Sequence, residues 1–116
     1  DSGRYERAVE VLQPVVTDAN LPQKERAEAA YRTGRAYQAL EDWDRAVGHF
    51  RLAADRPGDP LAQWGPWSLY HMGEVYEAKG ELAEAREAYE EALDNEEAFD
   101  YRKSLEQRAR AALERL

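Results

Sequence analysis

Apolar residues recur along this chain at the three- and four-residue spacing of helices, in stripes parted by short polar breaks. Between Gln23 and Leu40 the stripe is Ala27, Ala30, Tyr31, Gly34, Tyr37 and Ala39. Glu41 and Asp42 interrupt it, and Trp43, Ala46, Val47, Phe50, Ala53 and Ala54 form a second stripe. Further on, Pro66 suits a first helical turn. Trp67, Leu69, Tyr70, Gly73, Val75 and Tyr76 follow it, and Gly80 stands where a helix C-terminus favours glycine. Leu82, Ala85, Tyr89, Ala92 and Leu93 make the partner stripe. Tyr5, Val9, Leu12 and Val16 line one face near the N-terminus. Near the C-terminus Tyr101, Leu105, Ala109, Ala112, Leu113 and Leu116 oppose Arg102, Lys103, Glu106, Gln107, Arg110 and Glu114. The pattern predicts an all-α fold with helices near 4–16, 23–40, 43–55, 66–79, 82–94 and 99–115. Pro14 is expected to end or kink the first, because it lacks an amide and clashes with the preceding turn.

The chain also repeats itself. Ala8, Ala46 and Ala85 align at intervals of 38 and 39 residues, as do Leu12, Phe50 and Tyr89, and Val15, Ala53 and Ala92. Gly34 and Tyr37 align with Gly73 and Tyr76. Glycine inside a helix costs roughly 1 kcal/mol against alanine, so Gly34 and Gly73 imply a closely packed neighbour. Ala46 and Ala85 are the small partners expected opposite them, with Phe50 and Tyr89 filling the space beyond. Such a helix pair leaves one face bare, so units must stack.

These columns resemble the tetratricopeptide repeat family, whose pattern runs roughly W-x2-L-G-x2-Y…A-x3-F…A…P. Gly34, Tyr37, Ala46, Phe50, Ala53 and Pro57 match one copy; Leu69, Met72, Gly73, Tyr76, Ala85, Tyr89 and Ala92 match a second. The resemblance implies antiparallel helix-turn-helix repeats in a right-handed solenoid, with residues 99–116 as a C-terminal capping helix. It divides a single domain, 1–116, into a half repeat at 3–22 and repeats at 23–58 and 66–94. The period exceeds the family's 34, and the surplus lies in Thr17–Gln23 and Arg56–Gly65. The half repeat suggests a piece of a longer chain.

Composition agrees and excludes several functions. Alanine occurs 20 times and isoleucine never, which favours helix over strand. A net charge of −8 disfavours nucleic acid. Without cysteine there is no thiol catalysis, disulfide or thiolate metal site. No apolar run suits membrane insertion, and no leader is visible. A soluble, cytoplasmic chain is the expectation.

Candidate chemistry is sparse. His49 and His71 are the two histidines, and H-E-x-x-H is absent. His71 and Glu74 can meet at i, i+3, but two ligands do not make a metal site. Glu74 with Glu77, Glu84 with Glu87 and Glu90 with Glu91 read as solvated faces, and the acidic run from Glu90 to Asp100 lacks the spacing of a calcium loop. No catalytic residue, metal or cofactor is expected. By the resemblance, the first helix of each unit lines a concave groove. Its register falls on Tyr31, Arg32, Arg35 and Gln38 in one unit and on Trp67, Tyr70, His71, Glu74 and Glu77 in the next. Aromatic and arginine side chains dominate interface energies. The expectation is therefore a scaffold module that binds a protein or peptide segment there. The family's carboxylate clamp is not carried over, because Tyr31 and Arg35 stand where its Lys and Asn are expected. The alternative is an architectural segment that stacks on upstream repeats or self-associates, including a weak homodimer through the apolar face of the N-terminal helix.

Overall fold

A computed structural model describes residues 2–55, 64–94 and 102–116, with side chains from Ser104 onward in the last stretch. Pro57, the acidic run beyond Asp94 and Tyr101 lie outside the described residues. Six helices follow one another: α1 (Ser2–Thr17), α2 (Gln23–Ala39), α3 (Trp43–Asp55), α4 (Trp64–Lys79), α5 (Leu82–Asp94) and α6 (Arg102–Arg115). Among the described residues there is no strand. Each helix packs on the next, and α2 also packs on α4 and α4 on α6. The even-numbered helices therefore form one layer and the odd-numbered helices the other. The smallest dimension, 20 Å, is that of two helix layers, since one helix with side chains is about 10 Å across.

The two intra-unit turns have the same construction. The amide of Asp42 donates to the carbonyl of Tyr37 at 2.9 Å, and that of Glu41 to Gln38 at 3.0 Å. The amides of Glu81 and Gly80 make the same pair of bonds to Tyr76 and Glu77. This double closure uses up the last carbonyls of α2 and α4 and needs a left-handed residue just past the helix. Gly80 takes that conformation at φ 81°, and Glu41 takes it at φ 60° despite its side chain.

Pro14 does not end α1, which runs on to Thr17. Pro14 and Glu10, whose carbonyl loses the bond, are exposed positions where water can replace it.

The glycine columns are explained by rings, not by the alanines. A β-carbon on Gly34 would lie 2.7 Å from the ring of Phe50, and one on Gly73 2.5 Å from that of Tyr89. Ala46 and Ala85 are fully buried one turn before those rings. Phe50, Tyr89, Met72 and Leu105 belong to a continuous core with Ala109 and Ala112 of α6. Burying a side chain of this size contributes about 1.5–3 kcal/mol. A smaller cluster of Val16, Ala29, Ala30 and Ala53 fixes α1 to the start of α2.

Candidate functional site

The contact between α2 and α4 carries most of the groove residues. His71 is 6% exposed. Its ring stacks on Phe50 and Trp67, at centroid distances of 5.8 and 6.0 Å, and meets Tyr31 at 5.7 Å and Tyr70 at 5.1 Å. Tyr70 is itself buried, at 7% exposure. Tyr31 and Trp67 are half-buried, and Trp64, in the first turn of α4, covers Tyr31 at 5.2 Å. The tyrosines and histidine expected to line a groove thus form one buried to half-buried aromatic cluster.

Polar groups adjoin that cluster. Oε1 of Glu74 is 2.5 Å from Nδ1 of His71 and accepts from Nε2 of Gln38 at 3.1 Å. Arg35 donates to Oε1 of Gln38 at 3.2 Å, and its Nη1 lies 2.9 Å from the same His71 Nδ1 and 3.8 Å from Glu74. Nδ1 cannot both donate to the carboxylate and accept from the guanidinium, and an arginine can only donate. The shorter contact decides: Nδ1 carries the proton and gives it to Glu74, and the attraction of Arg35 is to that carboxylate. Burial lowers the His71 pKa, and the neighbouring charge of Arg35 works the same way, against the opposing pull of Glu74. The imidazole is accordingly neutral at pH 7. Burial alone would raise the Glu74 pKa, but the bonds from His71 and Gln38 and the charge of Arg35 outweigh it and hold the carboxyl below its ordinary range. An ionised carboxylate bonded by His71 and Gln38, with the Arg35 guanidinium 3.8 Å away, clasps two helices together.

Arg32 does not join this cluster. Its guanidinium pairs with Glu28 at 3.0 Å, and it lines the α1 side of α2 beside Leu12 and Val15. Conversely, α6 supplies groups outside the expected set. Arg108 lies over the ring of Trp67 at 5.7 Å, and Arg115 binds Glu77 at 2.9 Å. Glu77 also accepts from the hydroxyl of Tyr89. The 38-residue step from Glu77 to Arg115 is the repeat interval, the signal that α6 continues the inner layer. Among the described residues no group of three potential ligands could hold a metal ion, and no helix is long and apolar enough to cross a membrane.

Stacked helix pairs with a shared inner layer define the chain as a helical repeat protein. Models of the tetratricopeptide repeat match it twice, over residues 28–57 and 66–99, together more than half its length. The chain belongs to the tetratricopeptide repeat family. No curated protein and no solved structure matches it. Repeats of this family generally mediate protein–protein interaction and are typically non-catalytic.

Proposed function

We propose that the inner face of α2, α4 and α6 binds an extended or helical segment of a partner protein. The observation that supports this is a row of partly exposed side chains already fixed by mutual contacts: Arg35, Gln38, Trp67, Glu74 and Arg108. Groups ordered beforehand lose less freedom on binding. Trp67 supplies apolar area, and Arg35 can turn one edge of its guanidinium to an acidic or phosphorylated group. The acidity of the chain, −8 overall, favours a partner with basic residues at the rim, which speeds association and makes it salt-sensitive. Affinity for such a module is expected near the micromolar range, about −8 kcal/mol.

The experiment is a pull-down or peptide array with the wild type, with the pair Arg35→Ala and Arg108→Ala, and with Arg51→Ala and Arg86→Ala on the outer helices. Loss of partners in the inner-layer pair alone supports the groove. Loss in the outer variants alone assigns binding to the convex layer and ends this reading.

A further inference from the structure

α2 and α4 are joined at one carboxylate oxygen. Oε1 of Glu74 accepts from Nδ1 of His71 on its own helix and from Nε2 of Gln38 on α2, and it lies 3.8 Å from Nη1 of Arg35. The same Nη1 donates to Oε1 of Gln38 at 3.2 Å. Arg35 is thus held on α4 by a neutral amide and by a carboxylate it does not fully reach. Its Nη1 is also 2.9 Å from Nδ1 of His71. That approach is tolerated while the imidazole is uncharged; a charge on the ring would set two cations side by side.

The surroundings of His71 decide what a proton would do. From α2 it is faced by Arg35 and Tyr31, from α4 by Trp67, Tyr70 and Glu74, from α3 by Phe50 and from α6 by Arg108. Glu74 is the one carboxylate among these groups. An imidazolium there must be balanced by Glu74, because the residue is only 6% exposed and water cannot solvate it freely. His71 is fixed by its rings and already touches Glu74 at 2.5 Å. Arg35 stands farther off, and its side chain is 48% exposed on a long flexible stem. When both cations compete for one carboxylate, the arginine is the group that can leave. Gln38 stays bonded to Glu74 and keeps the two helices together.

We infer that protonation of His71 releases Arg35 from α4 and turns its guanidinium out onto the inner face, where it becomes a free cationic contact for an anionic group. The use of this device rests on the inner-face reading; its operation does not. Burial and the charges of Arg35 and Arg108 oppose protonation of His71, so the change falls below the ordinary imidazole value of about 6.5. Histidine is the side chain suited to such a change near neutrality.

The test is nuclear magnetic resonance of the isotope-labelled intact chain between pH 7.5 and 5.5, without a partner. The His71 ring is expected to titrate with a midpoint below about 6.5. Overhauser contacts between the Arg35 side chain and the Gln38 amide should fade with that same midpoint, while Val75 and Leu105 keep their native shifts. In His71→Gln the Arg35–Gln38 contacts should persist throughout. In Arg35→Gln the His71 midpoint should rise by about half a unit, because a like charge has gone. Contacts that survive full protonation of His71, contacts that fade equally in His71→Gln, an unmoved midpoint in Arg35→Gln, or loss of the native core shifts together with the contacts each overturn the proposal. Sulfate, whose charge is constant over this range, then probes the freed group. It should shift the Arg35 Nε–H resonance at pH 5.5 and not at pH 7.5. No sulfate response from a released Arg35 counts against the inner face as a binding surface, not against the release.

Discussion

The ring of Phe50 lies so close to the α-carbon of Gly34 that a β-carbon there would sit 2.7 Å from it. The ring is fully buried in the core, so making room for a β-carbon would push it against its neighbours. The same contact recurs, slightly tighter, between Gly73 and Tyr89. Gly34→Ala and Gly73→Ala are therefore expected to destabilise the protein by about 1–3 kcal/mol through overpacking, although alanine is the better helix former by roughly 1 kcal/mol. Gly73→Leu and Ala85→Leu should be worse, and Glu87→Ala, on the exposed face of α5, should stay within about 0.5 kcal/mol. Urea unfolding measures all of these. Gly34→Ala combined with Phe50→Leu should recover part of the loss, because leucine is what the first unit carries at Leu12.

The left-handed residue after α2 is a glutamate, whereas its counterpart after α4 is Gly80. A side chain in that conformation costs roughly 1–2 kcal/mol. Glycine removes that cost but adds freedom to the unfolded chain. Glu41→Gly is expected to stabilise by about 0.5–1 kcal/mol and Gly80→Ala to destabilise by about 1 kcal/mol. If thermal melts gave Glu41→Gly a lower midpoint, the double hydrogen-bonded closure would not be what governs that turn.

Ser68 is fully buried, and its hydroxyl has no hydrogen-bond partner among the described residues. It stands in the column of Ala29, which is also buried. Removing an unpaired buried hydroxyl relieves its desolvation penalty of about 1–3 kcal/mol, and alanine favours helix. Ser68→Ala is expected to raise the unfolding midpoint in denaturant by the equivalent of about 1 kcal/mol. A destabilisation would show that the hydroxyl is paired in solution.

His71 is faced by Glu74 from its own helix, by Arg35 and Tyr31 from α2 and by Arg108 from α6. Its pKa is lowered by burial, so the unfolded chain takes up a proton first as the medium is acidified. The stability this contributes is complete above the ordinary imidazole value, about 6.5, and is lost as pH falls through it. Glu74, also lowered, adds a second loss below the ordinary carboxylate range. Denaturant midpoints should therefore decline from pH 7.5 to 5.5. The decline should shrink in His71→Gln, which keeps a donor for Glu74 but does not titrate. An unchanged slope in that variant would place the titration elsewhere.

What the sequence determined by itself is local and periodic. Helix positions follow from the three- and four-residue recurrence of apolar side chains. The close approach of a neighbour at Gly34 and Gly73 was legible too, because a mid-helix glycine is stable only where a neighbour comes close. The meeting of His71 with Glu74 was also legible, since residues three apart share a helix face. Tertiary structure decided how each face was used. Periodicity states an angle about a helix's own axis, not which neighbour that angle meets. Arg32 and Arg35 share one face of α2, yet Arg35 reaches across to α4 while Arg32 turns to α1. Tyr70 and His71 lie in the groove register but are buried, because α6 and the rings of Tyr31, Phe50 and Trp67 close over positions that a lone pair of helices would leave open. Pro14 obeyed the same limit: its cost depended on whether water reached the carbonyl one turn earlier, a property of how α1 lies on the fold.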